Sequence, residues 1–151
     1  HGSRRHVLEV ALPPRELAPL TAPALRGLLD AAGIKWRIVV VSACYSGGFI
    51  EALQDDNTLV LTASAANRAS FGCGHRSGAT FFGEALFQHG LAHAESLLAA
   101  FEAARGQVAE REKAGAFTPP SDPQIFVGPA MADKLRELDR GNAARRSGRS
   151  V

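Results

Sequence analysis

The period of the apolar positions changes several times along the chain, and each change marks an element. From Thr21 the order is a candidate cap, Pro23 in a first turn, and Leu25, Leu28, Leu29 and Ala32 at helical spacing up to Gly33, which predicts a helix that stops at that glycine. Residues 36–41 are instead a continuous apolar, β-branched run, the pattern of a strand buried on both faces in a parallel sheet. That strand delivers Ser42, Ala43 and Cys44 to its carboxyl end. After the Gly47 and Gly48 pair, residues 49–54 predict a short helix and residues 58–62 a second buried strand, together a strand-helix-strand unit.

Elsewhere the pattern is weaker. Residues 6–12 alternate loosely and end at Pro13 and Pro14, which suits an edge strand or hairpin arm. Residues 67–77 read as a Gly- and Ser-rich loop, 78–89 as a helix stopped by Gly90, and 94–113 as a longer helix with Leu97, Leu98, Phe101, Ala104 and Val108 on one face. A turn over 118–123, a third short strand over 124–127, a terminal helix over 130–138 and a basic, disordered tail over 140–151 complete the reading. The prediction is an α/β domain with a mainly parallel sheet and helical crossovers. In such sheets ligands bind beyond the carboxyl ends of the strands, which is where Cys44 falls.

Composition narrows the function classes. With 151 residues, 46% hydrophobic and 21% charged, the chain has the make-up of one globular domain. The formal charge of +2 becomes −2 once the four arginines after Asp139 are set aside, so no nucleic-acid face is expected on the folded part. No apolar run approaches the roughly 20 residues of a membrane span. Two cysteines allow at most one bridge, between Cys44 and Cys73, and leave the redox compartment open. Met131 is the sole methionine, so residues upstream of His1 are expected in the native protein.

Cys44 is the candidate nucleophile: it follows a buried strand, sits in a glycine-bearing turn and precedes a short helix, where backbone N–H groups can favour a thiolate and stabilise an oxyanion. A thiol with an unperturbed pKa of about 8.5 still needs a base. Five histidines compete. His1 is followed by Gly2, whose small size lets the backbone approach a substrate; His75 lies on the flexible loop after Cys73; His6 reads as a solvated side chain of the hairpin arm; His89 and His93 flank a helix end, where the helix dipole explains them. Spacing alone leaves His1 and His75 open. The letters His-Gly-Ser also arise from an affinity tag and its linker, a reading opposed by the absence of a histidine run. No paired ligand spacing exists around Cys73 and His75, so neither a metal nor another cofactor is expected. Ser46 lacks the first glycine of a nucleophile elbow.

A buried strand ending in Ser42-Ala43-Cys44-Tyr45-Ser46-Gly47-Gly48, with His1-Gly2-Ser3 43 positions upstream of the cysteine, resembles the legumain-type cysteine peptidases, family C13 of the caspase-like clan. Residues 62–67 (Thr-Ala-Ser-Ala-Ala-Asn), 70–73 (Ser-Phe-Gly-Cys) and 81–84 (Phe-Phe-Gly-Glu) resemble successive blocks of that family, and bacterial members look closest. The resemblance implies a caspase-like three-layer sandwich whose N-terminal strands are missing from this chain, with residues 1–139 the C-terminal catalytic part of a single domain. It also implies a cysteine endopeptidase acting on peptide or protein substrates by acyl transfer through a thioester, with possible transpeptidase or ligase side activity. In that reading His1 is general base and acid, Cys44 the nucleophile, the N–H groups of Gly2 and Cys44 the oxyanion hole, and Ser42, Ser70 and Glu84 contact substrate.

Three departures matter, one being that the family's remaining pocket residues come from strands before the His-Gly motif, which this chain lacks. Legumains carry a glutamate where Ser42 stands, and Glu84 is one methylene longer than the usual aspartate, so asparagine specificity is not expected to carry over. The rival readings are a catalytically inactive caspase-like module that binds peptides in the same groove, and an α/β domain whose cysteines are structural. Oligomeric state, compartment and natural substrate are not encoded in any motif of the chain.

Overall fold

The computed structural model describes residues 1–9, 12–15, 17–72 and 79–147. Residues 1–3 run antiparallel to Val7–Leu8 (β1), which pairs on its other side with Leu20–Thr21 (β2). Thr21 caps Ala22–Ala31 (α1): its hydroxyl accepts from the Ala24 N–H at 3.2 Å, and Pro23 occupies the first turn, where its missing N–H costs nothing. Arg37–Val41 (β3), a 3-10 turn over Ser46–Phe49, Ile50–Leu53 (α2) and Thr58–Thr62 (β4) then form the expected strand-helix-strand unit. Phe81–Gly83 (α3), a π-helical stretch over Glu84–Gly90, Leu91–His93 (α4), Leu97–Ala114 (α5), Gln124–Val127 (β5) and Pro129–Ser147 (α6) complete the chain.

The central sheet has the order β3-β4-β5 and is not mainly parallel: β3 and β4 are parallel, whereas β5 runs antiparallel to β4. The cause lies in the loop before β5. The Ala65 N–H, just past the carboxyl end of β4, donates to the Ser121 carbonyl at 2.9 Å, so the chain re-enters the sheet at that end and must run back. Among the strands of the described residues, β4 alone is buried along its whole length. β3 is an edge strand with Ile38 half exposed, contrary to the expectation of burial on both faces, because the apolar run cannot reveal which strand lies in the middle.

Alternation along β4 divides the core. Leu59 and Leu61 pack with Phe82, Leu86, Phe101, Val108, Met131 and Leu135 on one face, while Val60 packs with Val41, Phe49, Leu53 and Ala22 on the other. Helices therefore cover both faces of a mixed sheet, an α/β arrangement with three layers.

Two helix ends differ from the sequence reading. Gly90 does not stop its helix: a Cβ there would meet the Ala100 carbonyl at 2.7 Å, so this glycine serves the close approach to α5 and helical backbone continues to His93. The terminal helix extends beyond 138 to Ser147, because the apolar periodicity ends near Leu138 while Ala143, Ala144 and Arg145 still favour helix. No helix among the described residues is long and apolar enough to cross a membrane.

Candidate active site

Cys44 is half buried, three residues beyond the end of β3, in a turn fastened to the end of β4. Ser64 does most of the fastening. It is fully buried; its hydroxyl donates to the Ala43 carbonyl at 3.2 Å and accepts from the Ser46 N–H at 3.3 Å, while its carbonyl accepts from the Gly47 N–H at 2.8 Å. The Ser46 hydroxyl in turn accepts from the Ser64 N–H at 3.2 Å. The Gly pair has two separate reasons. A Cβ on Gly47 would lie 2.8 Å from the Ala65 carbonyl carbon and 2.9 Å from the Ser64 oxygen, whereas one on Gly48 would run into the imidazole of His6. Tyr45 adopts φ 58°, reversing the chain directly after the cysteine, and its N–H donates to the Arg68 carbonyl at 2.7 Å.

Cys44 is a free thiol. Ser70 meets it from the other side: the Ser70 N–H donates to Sγ at 3.2 Å, the thiol faces the Ser70 carbonyl at 3.4 Å, and the Ser70 hydroxyl lies 3.6 Å from Sγ. These contacts fix the position of the sulfur at the strand end. Ser70 is held by its neighbour Phe71, whose ring stacks on Phe117 at 4.6 Å and whose carbonyl accepts from the Phe81 N–H at 3.1 Å.

The hairpin carrying His1 and Gly2 abuts the same turn. The two strands exchange hydrogen bonds between His1 and Glu9, both at 2.8 Å, and Ser3 N–H donates to Val7 at 3.1 Å; Gly2 faces Leu8 in the intervening position. In an antiparallel ladder that position turns its N–H away from the partner strand. Gly2 lies against the cysteine, so closely that a Cβ would collide with the Cys44 carbonyl oxygen. Among the described residues neither the Gly2 N–H nor the Cys44 N–H donates to a protein acceptor. The His1 side chain is exposed one residue from that contact and makes no hydrogen bond to Sγ.

The remaining candidate residues separate into two groups. Ser42 is exposed on the strand end, its hydroxyl 2.8 Å from that of Thr80, which also caps α3 by accepting from the Gly83 N–H at 2.9 Å. Glu84 instead faces α5, where Arg111 donates to its carboxylate at 2.7 Å; His89 lies 3.9 Å away. The hydrogen bond from Arg111, and then its charge, hold the Glu84 carboxyl below the usual glutamate range. The Arg111 guanidinium also covers the Phe81 ring at 4.2 Å. Cys73 and His75 lie outside the described residues. His6 is not the solvated side chain read from sequence: it is half buried and its Nε2 bonds the Ala66 carbonyl at 3.1 Å. Thr80, Ser64 and Arg111 are not singled out as site neighbours by the sequence; Ser64 lies within the family-like block 62–67, Thr80 is a threonine directly before an apolar helical run, and Arg111 carries no signal.

Among the described residues no three His, Cys, Asp or Glu side chains gather as metal ligands. No curated protein matches the chain. The model of the peptidase C13 family matches residues 1–129, the stretch that contains the hairpin, the cysteine turn, Ser70 and the sheet. The chain belongs to the peptidase C13 family, the legumain type of cysteine peptidase.

Proposed function

We propose that the protein is a cysteine endopeptidase working through a His1/Cys44 dyad by acyl transfer. The observation that carries this reading is the seating of Gly2 on the carbonyl of Cys44, which brings to the end of β3 one exposed imidazole and two backbone N–H groups that have no acceptor among the described residues.

The chemistry follows from the groups present. His1 takes the thiol proton, for which the S–H must turn away from the Ser70 carbonyl, and sulfur attacks the scissile carbonyl. The N–H groups of Gly2 and Cys44 receive the developing oxyanion, and the Ser70 N–H steadies the sulfur. The tetrahedral intermediate collapses as His1 returns its proton to the leaving amine, leaving a thioester on Cys44. Water, activated by His1, hydrolyses that ester; an incoming amine in its place gives a new peptide bond, the transpeptidase or ligase outcome.

Ser42 and Ser70 flank the cysteine and are the groups that meet the substrate side chain. Glu84 is held toward α5 by its pair with Arg111, so its carboxylate is not free to select a basic substrate side chain. The test is turnover of a fluorogenic peptide library. Cleavage by the wild type that disappears in Cys44→Ala, with an acyl-enzyme trapped on Cys44 by mass spectrometry, supports the reading; cleavage that survives Cys44→Ala contradicts it.

A further inference from the structure

His6 sits at an expensive backbone position and is used there. The hairpin loop closes with the His6 N–H donating to the Ser3 carbonyl at 2.9 Å, the geometry of a three-residue loop ending on a left-handed residue, and His6 has φ 54°. Glycine is the residue that adopts this conformation without strain. The histidine ring fills the space above Gly48: the three atoms nearest to a Cβ built on Gly48 all belong to the His6 imidazole. Its Nε2 reaches across to the Ala66 carbonyl at 3.1 Å, beyond the end of β4. One ring thus touches the hairpin that bears His1 and Gly2, the turn that bears Cys44, and the loop past β4.

We propose that His6 is a positioning residue for the acyl-transfer reaction: by stacking on Gly48 and bonding Ala66 it fixes the hairpin against the cysteine turn, and so sets the distance of the Gly2 N–H and of His1 from Cys44. The proposal rests on the dyad reading above. The chain from His1 to His6 meets the turn at three places, the Gly2 contact, the Arg4 guanidinium 5.5 Å from the Tyr45 ring and the His6 ring; of these the His6 ring also reaches the loop past β4, so its loss loosens the hairpin on the turn. A displacement of about 1 Å at reacting groups costs on the order of a hundredfold in rate.

The experiment uses the full chain with a fluorogenic peptide that the wild type cleaves, comparing His6→Gly, Gly48→Ala and the double variant, each corrected for its folded fraction by circular dichroism. His6→Gly relieves the left-handed strain, so it keeps the fold. Expected are a fall in kcat of roughly ten- to a hundredfold, a KM within about twofold of wild type, and an unchanged pH-rate profile, since His6 does not itself carry the proton. Gly48→Ala lowers kcat similarly in the wild type and has no further effect in the His6→Gly background, because the atoms it displaces are those of the ring. A kcat per folded molecule that stays at the wild-type value in His6→Gly overturns the proposal while leaving the dyad intact. So does loss of the ascending limb of the pH profile, which would make His6 the base, and so do independent, additive effects of the two substitutions. Absence of any Cys44-dependent cleavage by the wild type defeats the dyad reading itself.

Discussion

The α-carbon of Gly2 rests on the carbonyl oxygen of Cys44, leaving no room for a side chain between the hairpin and the cysteine turn. Gly2→Ala therefore pushes the hairpin off the turn and misplaces one of the two N–H groups offered to the oxyanion. Loss of one such donor costs about a hundred- to a thousandfold in kcat. Steady-state kinetics on Gly2→Ala should show that loss with little change in KM, while circular dichroism shows the sheet intact.

Gly47 and Gly106 offer opposite outcomes for the same substitution. Gly47→Ala sets a methyl group against the backbone of Ser64 and Ala65, which cannot yield without parting β3 from β4, so a loss of at least 1–3 kcal/mol is expected. Gly106 lies inside α5 with nothing within 4 Å of a built Cβ, and Gly106→Ala should stabilise by about 0.5–1 kcal/mol through helix propensity. Thermal melts decide both, at roughly 2–4 °C per kcal/mol for a chain of this size.

Ser64→Ala removes a fully buried hydroxyl that serves the Ala43 carbonyl and the Ser46 N–H. Both partners then stay buried and unsatisfied, at a cost of about 1–3 kcal/mol. Denaturant unfolding should show a lower midpoint at unchanged slope; an unaltered midpoint would mean that the contacts add nothing to stability.

Glu84 and Arg111 predict a pH signature. The glutamate's folded-state pKa is depressed, so the pair contributes stability above the ordinary glutamate range, and that contribution is lost as pH falls through the folded value. In Arg111→Gln, melting temperatures from pH 7 down to pH 3 should converge on those of the wild type at the acid end. A gap that is constant across this range would assign the effect of Arg111 to its cover over Phe81 instead.

Long, strongly patterned segments were legible in the sequence: the ranges of β3, β4, β5, α1 and α5 follow from apolar period and from Thr21, Pro23 and Gly33. Three things were not. The direction of β5 depends on where the Ser121 loop docks, a tertiary fact invisible to periodicity. Gly90 reads as a helix stop by type, yet it is required by the neighbouring helix α5. His6 reads as an exposed polar residue because nothing local announces that Gly48, 42 positions later, lies beneath its ring. At the site, Cys44 and Gly2 came from motif and spacing and stand together; the commitment of Glu84 to Arg111 depends on α5 crossing nearby, which the sequence pattern does not specify.

The most direct test of the account is labelling of the purified chain with a peptidyl acyloxymethyl ketone across pH, with the adduct located by mass spectrometry and His1→Ala as the comparison. The account predicts selective modification of Cys44 over Cys73, slowed by about a hundredfold or more in His1→Ala, in line with loss of a general base. Equal, slow modification of both cysteines, indifferent to His1, would contradict it.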